Sequence, residues 1–148
     1  MKKRPLILTL SLLLACVPNI QANSHKDGEH EHTALEDEMS AMNKAWRSIR
    51  RQIKDPAKNE STLKLVAKVK GHAEKSAKLT PTLADEKSGS DKKKFVEGYQ
   101  KAMKKTVGLI SQLEAALKSG DNAKAEEIVG KINDARKHGH DKYKPDDD

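Results

Sequence analysis

Thioethers and imidazoles are the side chains in this sequence with chemistry beyond packing and charge. There are four methionines and six histidines in 148 residues, beside a single cysteine. Met39 and Met42 lie three residues apart, so a helix would present both on one face. His140 stands near the far end of the chain, with Arg136 one helical turn before it on the same face. A soft neutral sulfur and an imidazole are the donors of a low-spin, electron-transferring iron site. His138 points away from His140 around a helix, and His72 flanks an apolar stripe. Both read as surface residues. His25, His30 and His32 crowd a polar stretch without periodicity, where an exported tail could capture zinc, copper or nickel. Cys16 has no second cysteine to pair with, and no Cys-x-x-Cys-His motif exists for covalent haem attachment. A Gly-rich phosphate loop, a nucleophile elbow and an acid pair are all missing from the motifs, so nothing points to an enzyme.

Donors 101 residues apart act together only if the fold joins them, and the elements that could do so are helices. Leu35, Met39, Met42, Trp46, Ile49 and Ile53 alternate spacings of four and three, one face of a helix that Thr33 caps and Asp55-Pro56 ends. Trp46 reads as core packing. A second stripe runs through Leu63, Val66, Val69 or Lys70, Ala73 and Ala77, with Ser61 as its cap and Gly71 weakening its middle. Thr80-Pro81 closes it, and the polar stretch to Ser90 is the longest connection. Ser90 or Asp91 caps a third helix with the stripe Phe95, Tyr99, Ala102, Thr106, Ile110, Leu113 and Leu117. Ser119-Gly120 stops that helix, and Asp121 caps the fourth, whose stripe is Ala125, Ile128, Ile132, Ala135 and Gly139, ending near Tyr143. Four amphipathic helices with short connections predict an all-α fold, an antiparallel up-down-up-down four-helix bundle. Three helices with a loose second segment is the competing arrangement.

In that topology the first and fourth helices are antiparallel neighbours. The start of one meets the end of the other, which brings Met39 to the same end as His140 as candidate axial ligands of a haem iron. Seen with its neighbours, the pair resembles the cytochrome b562 family. The likeness lies in Leu35-Glu36-Asp37-Glu38-Met39 with Asn43, and in Arg136 followed by His140-Asp141-Lys142-Tyr143-Lys144. It spans roughly residues 34 to 144, with a diverged middle, and the spacing from Gly120 to Arg136 also fits. The resemblance implies a non-covalent b-type haem with Met39 and His140 on the iron, and one-electron transfer with redox partner proteins. Met42 is the alternative sulfur ligand, and Arg136 is expected to pair with a haem propionate. Gly139 stands where a bulkier residue is expected beside the ligand, and the third helix is about one turn longer than the family pattern. Phe95 with Tyr99, or Tyr99 with Met103, would wall the pocket.

The remaining segments concern location. Lys2, Lys3 and Arg4 precede the apolar run Leu6 to Val17, and Ile20-Gln21-Ala22 offers a cleavage site, so residues 1–22 read as a signal peptide for periplasmic export. Ordinary cleavage after Ala22 competes with lipidation at Cys16, since Leu13-Leu14-Ala15-Cys16 resembles a lipobox. The apolar run is too short for a membrane span of ~20 residues. Residues 23–32 form a His-rich lead-in, 33–144 the bundle and 145–148 an acidic tail. Three of the 29 basic residues and none of the 22 acidic ones precede Ala22, which leaves 26 against 22, a balance of +4. With 3% aromatic residues and dispersed lysines, that is not a nucleic-acid footprint. The expected state is a monomer or weak dimer. The rival functional readings are a haem-free helical envelope protein and a metal-capturing one.

Overall fold

The computed structural model describes residues 33–144, which form four α-helices and, among the described residues, no strand. The signal segment, Cys16, the His-rich lead-in and the acidic tail lie outside the described residues. Helix α1, Ala34–Gln52, opens with a reciprocal cap. Thr33 Oγ1 accepts from the Glu36 amide at 3.2 Å, and the Thr33 amide donates to the Glu36 carboxylate at 2.7 Å. Trp46, Ile49 and Ile53 are buried, whereas Leu35, Met39 and Met42 are only half-buried.

Helix α2, Asn59–Ser76, exists and is regular, which excludes the three-helix alternative. It begins earlier than Ser61. Pro56 needs no hydrogen-bond acceptor for its nitrogen, so a 3₁₀ turn over Pro56–Lys58 feeds straight into the helix. Asp55 caps that turn through the Ala57 amide at 3.1 Å, and Ser61 lies inside α2, donating to the Lys58 carbonyl at 2.9 Å. The inward stripe is Thr62, Val66, Val69, Ala73 and Ser76, rotated from the expected one, and Leu63 and Ala77 are only half-buried. Buried Thr62 is accommodated because its hydroxyl donates to the Lys58 carbonyl at 2.8 Å.

Pro81 and Ala84 pin the long connection to the core. Helix α3, Gly89–Lys118, starts one residue before Ser90 and two before Asp91, with Ser88 at the cap position. Gly89, at φ +52°, makes that early entry cheap. Tyr99, Met103, Ile110, Leu113, Ala116 and Leu117 face inward, while Ala102 and Thr106 sit at the edge. Gly120, at φ +74°, then reverses the chain, and the Asp121 amide donates back to the Ala116 carbonyl at 2.9 Å. Asp121 caps helix α4, Asn122–Tyr143, through the Lys124 amide.

Sequential helices pack side by side, α1 on α2, α2 on α3 and α3 on α4. The ring is closed by specific bonds between α1 and α4 more than by close approach of their backbones. At one end Asn122 donates to the Ile53 carbonyl at 2.9 Å and pairs amide to amide with Asn59. Nearby, Lys54 meets Glu126 at 2.9 Å. These contacts set the end of α1 against the start of α4, the up-down-up-down order.

Candidate functional site

Register across the α1–α4 seam follows from one hydrogen bond. Trp46 Nε1 donates to Asn133 Oδ1 at 3.0 Å, fixing those residues opposite one another. Met39 lies seven residues before Trp46 and His140 seven after Asn133. Seven residues are two helical turns, so each keeps within about 20° of the face that makes the bond. In antiparallel helices both steps run toward the same end, by about 10 Å. Met39 and His140 therefore occupy facing positions on the same seam, two turns beyond the tryptophan. Arg136, on the same side of α4 one turn before His140, is exposed and makes no ion pair among the described residues.

Burial changes along that seam. Toward the turn between α3 and α4, Ile49, Ile53, Ala125 and Ile128 are sealed. Toward Met39 and His140 the α1 stripe is half-buried, Ala135 and Gly139 are half-buried, and His140 is exposed. A β-carbon built on Gly139 would meet nothing within 4 Å. Apolar side chains left half-covered, with Met39 on one helix and His140 on the other, leave the seam open to a flat apolar group at this end. No cysteine occurs among the described residues, so such a group would be held by ligation and burial alone.

Polar neighbours brace this end. Glu38, the residue before Met39, is half-buried and sits 2.6 Å from His72 Nδ1 and 3.2 Å from Lys75 Nζ, both on α2. The hydrogen bond with His72 and the Lys75 charge hold its carboxyl below the usual carboxylate range. His72 is thus half-buried and engaged, not a plain surface residue. His138 is exposed, its Nδ1 2.8 Å from the Asp134 carbonyl oxygen, as a helix-surface histidine should be. Tyr99 is buried and donates to the Ser76 carbonyl at 3.0 Å, and burial pushes its phenol up to about 12. Tyr143 packs edge-on against both Phe95 and Tyr99, with ring centres 5.1 and 5.4 Å away. Tyr99 and Met103 are the buried members of the candidate wall, and Phe95 is half-buried.

Sequence reasoning assigned no contact to Asn133, Glu38 or Tyr143. Asn133 carried one signal, its place seven residues before His140. The Glu38–His72 pairing depends on the α1–α2 register, which no spacing within either helix encodes. No group of three or more histidine, cysteine or acidic side chains among the described residues could hold a metal ion. No helix among them is long and apolar enough to cross a membrane. Compared with known proteins, the cytochrome b562 family model matches residues 34–144. No curated protein and no solved structure gives a match.

Proposed function

The chain belongs to the cytochrome b562 family, and on that premise we propose that it is a periplasmic one-electron carrier whose haem iron is held by Met39 and His140. The family's cofactor is a non-covalent b-type haem, and its members are electron carriers. The observation that carries the ligand assignment is the Trp46–Asn133 bond, because it sets the register that opposes Met39 to His140. The half-buried stripe around them supports the same reading.

A haem with both axial positions filled supplies outer-sphere electron transfer and offers no open site for oxygen or peroxide. On the iron, the neutral thioether of Met39 would favour the ferrous state, and the His140 imidazole would serve both oxidation states. Leu35 and Met42 on α1, with Ala135 and Gly139 on α4, would exclude water from the macrocycle. Arg136, a turn from His140, would offer its guanidinium to a propionate. The apolar leader and the cleavage motif at Ala22 support export, with lipidation at Cys16 as the competing processing route.

The test is reconstitution of the chain from Asn23 onward with haemin, followed by dithionite reduction. Sharp α and β bands of a six-coordinate low-spin haem are expected. Met39→Ala and His140→Ala should each give a high-spin or five-coordinate spectrum. An unchanged spectrum in Met39→Ala moves the sulfur ligand to Met42. Absence of any Soret shift on adding haemin refutes the proposal and favours a haem-free bundle.

A further inference from the structure

Charge is distributed unevenly around this bundle. On α2, α3 and α4, lysines stand one turn from carboxylates and pair with them, as Lys64 does with Glu60, Lys118 with Glu114, and Lys131 with Glu127. Helix α1 breaks that pattern. Residues 40–54 carry Lys44, Arg47, Arg50, Arg51 and Lys54 and no carboxylate. All five are exposed, while Trp46, Ile49 and Ile53 of the same stretch are buried. Their spacing confines the five cations to about a third of the helix circumference, along ~15 Å of axis.

The surroundings do not neutralise this stripe. Among the described residues only Lys54 meets a carboxylate, Glu126, and Arg51 donates to the Ser48 hydroxyl at 3.0 Å. The α1–α2 register, set by Ser61 bonding to Gln52 and His72 to Glu38, places Lys68 along one flank, beside Lys64 with its Glu60 partner. On the other flank the seam register places Arg136 and Lys137 beside the middle of α1. Like charges at helical spacing repel and cost stability, and the fold retains four of the five without a carboxylate partner.

We infer that this stripe on α1 docks the acidic surface of a protein redox partner. Three of the five cations are arginines, whose planar fork engages carboxylates in bidentate fashion. Beside the stripe, the large apolar residues Trp46, Ile49 and Ile53 are turned into the bundle, so it offers no bulky side chain to insert between lipids, unlike an amphipathic membrane-surface helix. The same helix carries Met39, so a partner docked here sits beside the α1–α4 seam. Contacts between surface charges steer encounter and are weakened by salt, which suits a carrier that must bind and leave. The inference rests on the family's electron-carrier role and not on which residues ligate the iron.

The test uses the full mature chain and poly-L-glutamate as an acidic surface, with binding followed by calorimetry at low and high salt. The variant Arg47→Glu/Arg50→Glu/Arg51→Glu should bind about tenfold or more weakly and lose most of the salt dependence. Lys93→Glu/Lys101→Glu/Lys104→Glu, at exposed positions of α3, carries the same net charge and should stay within about twofold of the parent. Should the reversal fail to fold by circular dichroism, the arginine-to-glutamine triple replaces it, with a smaller loss in the same direction. Equal weakening by both triples, or no weakening by the α1 variants, overturns the inference. Vesicles of phosphatidylglycerol form the second arm, and α1-dependent binding to them without α1-dependent binding to the polymer would assign the stripe to a lipid surface instead. The Soret band, recorded alongside, reports separately on haem binding.

Discussion

Breaking the hydrogen bond between Trp46 and Asn133 should loosen the haem more than it loosens the fold. Trp46→Phe removes the Nε1 donor and leaves Asn133 Oδ1 half-buried without it. A net hydrogen bond contributes about 1 kcal/mol, and an acceptor left dry raises the cost toward ~3 kcal/mol. The smaller ring adds roughly 1 kcal/mol of lost packing at a position only 3% exposed. The expected destabilisation is about 2 kcal/mol, on the order of 10 °C in Tm for a domain of this size. Asn133→Ala should cost a similar amount, since it strands the buried indole N–H. Because the two residues act through one bond, the double variant should fall short of additivity by about 1 kcal/mol, measured by denaturant unfolding of the apoprotein. Haem affinity supplies the decisive comparison. Val66→Ala, in the fully buried part of α2, should cost a comparable ~2 kcal/mol without touching the seam. If it weakens haem binding as much as Trp46→Phe does, or if the double variant is additive within about 0.3 kcal/mol, the bond does not set the register of the site.

Two further outcomes follow from groups near the same end. Tyr99, pushed up to about 12 by burial, resists ionisation in the folded state. Its contribution is intact below the unfolded value near 10 and is lost as pH rises through 12, at up to about 1.4 kcal/mol per pH unit. Urea midpoints of Tyr99→Phe should therefore fall less steeply than those of the parent over pH 10–12, and parallel curves would contradict the assignment. Arg136→Ala should leave the low-spin bands in place yet speed haem transfer to an apoglobin by about fivefold, the effect of one solvent-screened ion pair near 1 kcal/mol. An unchanged transfer rate would mean that no propionate uses this guanidinium.

Much of the bundle was legible because it is periodic. The α1 and α4 stripes, the Thr33 cap and the Ser119-Gly120 stop follow from local rules, and the structure has them where those rules put them. Errors fell where two local signals competed. Ser61 is a good cap residue, but Pro56 restarts the helix before the chain reaches it. Ser90 and Asp91 lost similarly to the turn at Gly89. In α2 the hydrophobic choice Leu63 lost its central place to Thr62, since a helix can satisfy a buried threonine with its own carbonyl. Topology and family resemblance were enough to propose Met39 and His140 as a pair. The Trp46–Asn133 strut and the Glu38–His72 contact could not be proposed that way, because both depend on side-to-side register between helices distant in sequence.

The two ends of the α1–α4 seam differ in a way that bears on assembly order. Asn59, Asn122 and the Ile53 carbonyl lock one end, whereas the end bearing Met39 and His140 is half-covered, with bonds that run from α1 to α2 and from α2 to α3. The free energy of opening is therefore graded along the molecule, smallest at the half-covered end. A haem held as proposed would be loaded by parting one or two terminal turns, as a clothes-peg opens from its free tips, while the locked end stays shut. Folding and acquisition of the cofactor would then be separable events, and the haem-free bundle the receptive partner in the second.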